Sequence, residues 1–200
     1  IRTRPGTSDQ ATLLDQRDSL LDRLSEFTGV SATFNANQTV EVRLGGSAGP
    51  LLVSGANTAS FAMTTAADGT IGFTLDGNPV ALPAGSLAGK AQALVSLRDT
   101  RTSLDGLADA LISAANGAQA NGTALDGTPG PPLFSGSGAA GITVALSSGS
   151  AIATAPAGAP AGSRDIAGLN ALRGALDSAD IAGGTSGLIF SVSSAAAGRR

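Results

Sequence analysis

Apolar positions along this chain keep two different periods, and the changes of period divide it into segments. Leu13, Leu14, Leu20, Leu21, Leu24 and Phe27 recur at helical spacing and form one stripe on a helix. Thr7 followed three residues later by Gln10 matches a capping box at its start. Gly29 suits the left-handed position just past its end. Arg17 falls on the stripe, where its stem can lie along the seam with its head in water. Residues 1–6 read as a lead-in.

From Val30 the period becomes two. Val40, Val42 and Leu44 alternate with Thr39, Glu41 and Arg43, the pattern of a strand with one covered face. Asn35-Ala36-Asn37 is the hairpin connection between strands at Ser31–Phe34 and Gln38–Leu44. Further short strands are predicted at Leu51–Val53, Ala59–Thr64, Thr70–Leu75 and Val80–Leu82, with turns at Asp68-Gly69 and Asp76-Gly77. Pro83 and Gly85 close this small antiparallel region, and Ser86 caps the next helix.

That helix is the longest periodic stretch, Ser86 to about Asn116, roughly 45 Å at the α-helical rise. Leu97, Leu104 and Leu111 fall one heptad apart, and a second row holds Leu94, Arg101, Ala108 and Ala115. Such a seam predicts a helix packed along its length, and the small second row lets a partner come close. The expected partner is the first helix, with Leu13, Leu20, Leu24 and Phe27 against Leu94, Leu97, Leu104, Leu107 and Leu111. A charge at Leu104 would then cost on the order of 3 kcal/mol.

The remainder is less regular. Glycine and proline punctuate residues 116–141, a stretch expected to lack regular structure with Phe134 as its one large anchor. Ile142–Leu146 reads as a strand and Ala151–Ala161 as an Ala/Pro linker. A short helix follows, with Ser163 as N-cap, Asp165 in its first turn and Leu169, Leu172 and Leu176 on one face. Residues 185–198 carry both signals, LIFSV for strand and SSAAAG for helix.

Composition narrows the classes. The chain is 42% hydrophobic but only 3% aromatic, with no Trp or Tyr, so its core is aliphatic with six Phe as bulky anchors. Few large apolar residues are then expected to remain for an exposed patch. A net charge of −3, with no basic run longer than Arg199-Arg200, gives nucleic acid nothing to hold. Without cysteine, disulfides and thiolate metal sites are excluded. No apolar stretch of about 18 residues is present, so no helix is expected to span a membrane. The first ten residues lack the apolar run of a signal peptide. Export, if it occurs, would use a route without a cleaved signal, or this sequence is an internal piece.

Three short patterns invite catalysis. Gly45-Gly46-Ser47-Ala48-Gly49 spells GxSxG, but a nucleophile elbow needs a following helix and a histidine. This chain has no histidine, and a strand follows. Gly136-Ser137-Gly138-Ala139-Ala140-Gly141 spells GxGxxG, which binds a dinucleotide only where it opens a helix; here it leads towards ITVAL and reads as a loop. The carboxylates Asp15, Asp18 and Asp22, and likewise Asp99, Asp105 and Asp109, sit at helical spacing as solvated faces. No catalytic residue, cofactor or metal site is expected.

Two segments resemble a known family. LLDQRDSLLDRLSEFTGVSATFNANQTVEVRLGG is similar to the helix-to-hairpin segment of the flagellar hook-associated protein 1 family, the first hook–filament junction proteins. The second segment carries Gly85-Ser86-Leu87, Gly89, Arg98-Asp99, Leu104-Asp105, Leu107-Ala108, Asn116, Gly122, Asp126-Gly127 and Phe134 in that family's order and spacing. It departs at Ala115 and Ala118, where the family has an aromatic residue and a histidine. Asn170-Ala171-Leu172 extends the likeness weakly.

The resemblance implies an α+β fold, a bundle of long helices with a small antiparallel β region, of the flagellin-like outer-domain type. Residues 1–29 and 84–200 would form a helical rod with a reduced β insertion near 135–161, and residues 30–83 a β-hairpin subdomain packed on it. The chain would be a piece lacking the family's terminal helices, and residues 185–198 would be helical. The implied function is that of a structural subunit, exported unfolded to the bacterial flagellum without a cleaved signal. Its partners would be copies of itself, the hook protein and the second junction protein, with neither nucleic acid nor membrane; the piece alone would be monomeric. The alternatives are another axial protein, flagellin or the second junction protein, and from a different class a secreted adhesive or surface-binding module.

Overall fold

The computed structural model describes residues 8–36 and 39–197. The lead-in, Thr7 of the capping box, Asn37 of the hairpin connection, Gln38 at the start of the strand expected after it, and residues 198–200 lie outside the described residues. Helices and antiparallel strands give an α+β fold in two compact units, Ile1–Arg98 and Asp99–Arg200. The boundary between them falls within the long helix α2, Ser86–Ala120.

In the first unit, α1 spans Ser8–Phe27 with Asp9 in its first turn, where a negative charge meets the helix dipole favourably. The Thr28 amide still donates to Leu24 O at 3.1 Å, and the chain then turns into β1. Gly29 is not in the left-handed conformation expected of it. A Cβ there would lie 3.2 Å from Pro83 Cγ and 3.3 Å from Ala84 Cβ, so close approach of the chain entering α2 is what calls for glycine. The left-handed residue is Gly85, at φ 91°; any Cβ on it would stand 2.5 Å from Phe27 O. Two further bonds tie this corner, Gly29 N–H to Ala84 O at 3.1 Å and Gly45 N–H to Gly29 O at 2.8 Å. The end of α1, the end of β2 and the start of α2 thus meet at three glycines.

Two antiparallel sheets lie between the helices in sequence. The first has the order β1 (Val30–Phe34), β2 (Val40–Leu44), β3 (Leu51–Ser54), β4 (Asn57–Thr58), with a bulge between Val42 and Arg43. The second has the order β5 (Phe61–Thr65), β6 (Ile71–Leu75), β7 (Asn78–Val80). Alternation works as the sequence suggests: Val42, Leu44, Phe73 and Leu75 are buried. β7 begins two residues earlier than the sequence suggests. Asp76 and Gly77 both take left-handed conformations, φ 50° and 81°, making a two-residue turn that pairs Leu75 with Asn78.

In the second unit, α2 runs four residues beyond Asn116, to Ala120. Regular structure follows in short pieces: β8 (Gly122–Thr123), β9 (Phe134–Ser135), α3 (Gly138–Gly141) and β11 (Ala155–Pro156), none of them expected, and β10 (Thr143–Val144), which falls within the strand expected at Ile142–Leu146. β8 pairs with β11 and β9 with β10. The stretch expected to be a linker is therefore part of the core, with Ala153 and Ala155 buried; their small side chains let backbone pack on backbone. α4 spans Ala167–Ser178 and starts later than the sequence suggests. Ser163 does not cap it: Ser163 Oγ accepts from Asp165 N–H at 3.2 Å, and Asp165 Oδ1 accepts from Ala167 N–H at 2.9 Å. α5, Ile181–Ala197, takes LIFSV into a helix, as the family resemblance implies and against its strand propensity. Thr185 and Ser186 hydroxyls bond back to Ile181 O and Ala182 O, satisfying groups that would otherwise compete with the helix.

Candidate functional site: the faces of the long helix

Successive turns of α2 bring Asp105, Asp109, Asn116 and Gln119 to one side, since they lie near multiples of 3.6 residues apart. Each grips the backbone of the following loop. Asp109 Oδ1 accepts from Gly138 N–H at 2.7 Å and Asp105 Oδ1 from Ala139 N–H at 2.8 Å. Asn116 Oδ1 accepts from Leu133 N–H at 2.8 Å and Phe134 N–H at 3.0 Å, while its Nδ2 donates to Phe134 O at 2.8 Å. Gln119, 1% exposed, donates to Ala151 O at 2.7 Å and accepts from Ala153 N–H at 3.1 Å. Asn116 makes a strand-like pair with Phe134 on the side of β9 away from its partner β10, and so satisfies backbone groups that the short ladder leaves open. Asp105 and Asp109 are thus not merely a solvated face. A polar row at helical spacing was the signal in the sequence for this clasp.

The same bonds dispose of the GxGxxG pattern. One turn of helix, α3, does open there, where a loop is expected. Its first amides, however, are already occupied by the chain's own carboxylates, and a phosphate would have to displace two negative charges. GxSxG is likewise a turn between β2 and β3: Leu44 N–H donates to Pro50 O at 3.0 Å and Arg43 Nη1 to Gly49 O at 2.9 Å. Ser47 is exposed at its tip. Among the described residues no group of three or more His, Cys, Asp or Glu could hold a metal ion, and no helix is long and apolar enough to cross a membrane. Near Asp18 the ion pair to Arg17 Nη2 is 2.6 Å long, and the same guanidinium lies 4.5 Å over the Phe34 ring.

Two carboxyls sit below their ordinary pKa. Asp68 is held there first by the Thr70 hydroxyl and next by the Thr70 amide, and Asp126 by the Thr128 hydroxyl and amide in the same way. Both are short turns in which the charged carboxylate is the better acceptor. Their stabilisation is present above the ordinary carboxylate pKa and fades as pH falls through the depressed value.

Within each unit the apolar rows expected to form a seam are only partly covered. Leu13, Leu20, Phe27, Leu97 and Leu104 are exposed, Leu20 by 62% and Leu97 by 65%. Leu24, Leu94, Leu107 and Leu111 are half-buried. Within the second unit Leu107 meets α5: a Cβ at Gly184 would lie 2.4 Å from Leu107 Cδ2. Leu111 borders the α4–α5 connection at Leu176 and Ile181. Within the first unit, the opening turns of α2 line an open groove with β6 and β7, through Ala88, Ala91, Val95, Phe73 and Val80. The expectation that few large apolar groups would be left exposed is also overturned. Ile189, Phe190 and Val192 on α5 stand 62%, 74% and 44% exposed.

The model of the flagellar hook-associated protein FlgK helical domain matches residues 1–134. Among solved structures, the flagellar hook junction protein FlgK from Burkholderia pseudomallei matches with a TM-score of 0.51 and 30% sequence identity. The match covers 64% of this chain and 26% of that protein, so this chain spans about a quarter of its length. A search of curated proteins gave no match.

Proposed function

Because the chain belongs to the flagellar hook-associated protein FlgK family, through that family's helical domain, we propose that it serves as part of a structural subunit at the flagellar hook–filament junction. It acts by packing and self-assembly and not by catalysis. One observation carries the reading beyond family membership: the residues that could have done chemistry are spent on the fold. Asp105 and Asp109 hold α3, and Ser47 sits in a turn. What the chain leaves outward is apolar helix surface, at Leu13, Leu20, Phe27, Leu97, Leu104 and along α5. Exposed apolar area of this kind marks interaction surfaces. In the full-length protein these rows are covered by the rest of the subunit and by neighbouring axial proteins, including further copies, the hook protein and the second junction protein. Export proceeds without a cleaved signal.

Cells lacking the parent gene provide the test. Complementation with the wild-type gene should restore attached filaments and swimming. A Leu20→Asp/Leu97→Asp variant should be exported to the medium in similar amount yet restore fewer than about a tenth of the filaments. Full restoration by that variant would separate these rows from assembly, and normal filaments in the deletion strain would refute the junction role.

A further inference from the structure

Among the described residues, sheet edges in the first unit are protected in different ways, with one exception. β4 is two residues long, β7 is three and contains Pro79, and β1 follows α1, whose Arg17 lies over Phe34. Short strands, proline and nearby charge are the usual means of preventing one edge from pairing with another. β5 has none of them. It is five residues long, all exposed, at the end of its sheet. No charged residue occurs between Arg43 and Asp68, and β5 contains no proline.

Its backbone shows which groups are open. Asp76 N–H donates to Ser60 O and Ala66 N–H to Thr70 O, both at 2.8 Å. With the register Phe61↔Leu75 to Thr65↔Ile71, alternation directs Ala62 and Thr64 at β6. Phe61, Met63 and Thr65 therefore point their N–H and C=O groups away from the sheet. The side chains tell the same story. Phe61 stacks on Phe73 with ring centroids 5.6 Å apart. Phe61 and Met63 share the sheet face of the buried Phe73 and Leu75, yet are 41% and 59% exposed. The apolar face continues to the edge and stops uncovered.

We propose that this edge docks the β5 strand of a second copy of the chain, antiparallel and centred on Met63. The segment is complementary to itself in that register. Met63 faces Met63 of the other copy, and Phe61 faces Thr65 on either side. All six outward backbone groups are then paired, no like charges meet, and each Phe61 and Met63 gains a neighbour across the new pair. A five-residue strand covers far less than the roughly 800 Å² per partner of a stable interface. The pairing is therefore weak between free chains and needs a two-fold relation between the two copies. It stands on the strand's own geometry and holds whether or not the junction role does.

The absence of cysteine makes the test direct. In this register the two Met63 Cα atoms lie about 5.5 Å apart, within disulfide range. Met63→Cys chains under mild oxidation should form disulfide dimers at least tenfold faster than Ser47→Cys chains, whose thiol is on an exposed turn. Adding Thr65→Pro, which removes an outward donor and spares the ladder to β6, should return the rate to that of Ser47→Cys; Thr65→Lys should do the same. Equal rates for Met63→Cys and Ser47→Cys would overturn the proposal. So would fast cross-linking that survives both Thr65 substitutions, because that would reflect collision of exposed thiols and not strand pairing.

Discussion

Asn116 shows how much one side chain can organise. Its carboxamide presents an acceptor and a donor side by side, the same pattern a neighbouring strand would offer, and it satisfies two amides and one carbonyl of residues 133–134. Aspartate in its place would lose the donor, and alanine would leave all three backbone groups unpaired in a half-buried site. Unmade hydrogen bonds of this kind cost about 1–3 kcal/mol each, although water can reach part of this site. Asn116→Ala is therefore expected to lower stability by about 3 kcal/mol, read from urea unfolding followed by circular dichroism. A loss under about 0.5 kcal/mol would mean that the loop holds itself.

At the level of elements, α2 is a post with different attachments along its length. Its first turns sit under β6 and β7, its later turns meet α5 at Leu107, and its polar row fastens the loop. The loop's own strands are two residues long, too short to be stable alone. They persist because α2 holds both ends of the segment. Removing the two carboxylates, Asp105→Ala with Asp109→Ala, should free the start of α3. Amide hydrogen exchange at Gly138 and Ala139 is then expected to accelerate by tenfold or more, with little change at Ala153, which Gln119 secures independently. Acceleration spread evenly over the loop would show instead that it opens as one unit.

On the scale of the whole molecule, the balance between covered and uncovered apolar surface decides behaviour. Leu104 lies in the middle of the heptad row, yet it is 45% exposed, whereas Val42 is 1% exposed. Leu104→Asp should therefore change the stability of this chain by no more than about 0.5 kcal/mol, as surface substitutions do. Val42→Asp, which buries an unpaired charge, should cost more than about 3 kcal/mol. Thermal and urea unfolding of the two variants will separate them. If Leu104→Asp were as damaging as Val42→Asp, the leucine row would be covered within a single chain. The comparison also bears on function, because a row that is neutral for folding but required for filaments belongs to assembly.

The amino-acid sequence determined whatever rests on local rules. Periods of 3.6 and 2 located α1, the strands of the hairpin region and the body of α2. Asp76-Gly77 forced its turn through the left-handed backbone it favours, and the missing histidine emptied the GxSxG pattern of chemistry. The row Asp105, Asp109, Asn116 and Gln119 was also visible as spacing, but not its meaning, because the backbone groups it binds lie up to 34 residues away. Tertiary structure alone decided the rest. It made helix of LIFSV, where α5 approaches α2 closely at Gly184. It turned the Ala/Pro stretch into core, because Ala153 and Ala155 have β8 and Gln119 to pack on. It left Leu20, Leu97 and Leu104 in solvent. A stripe in a sequence records that a face is apolar; what covers it depends on which surfaces are long enough and near enough to reach it.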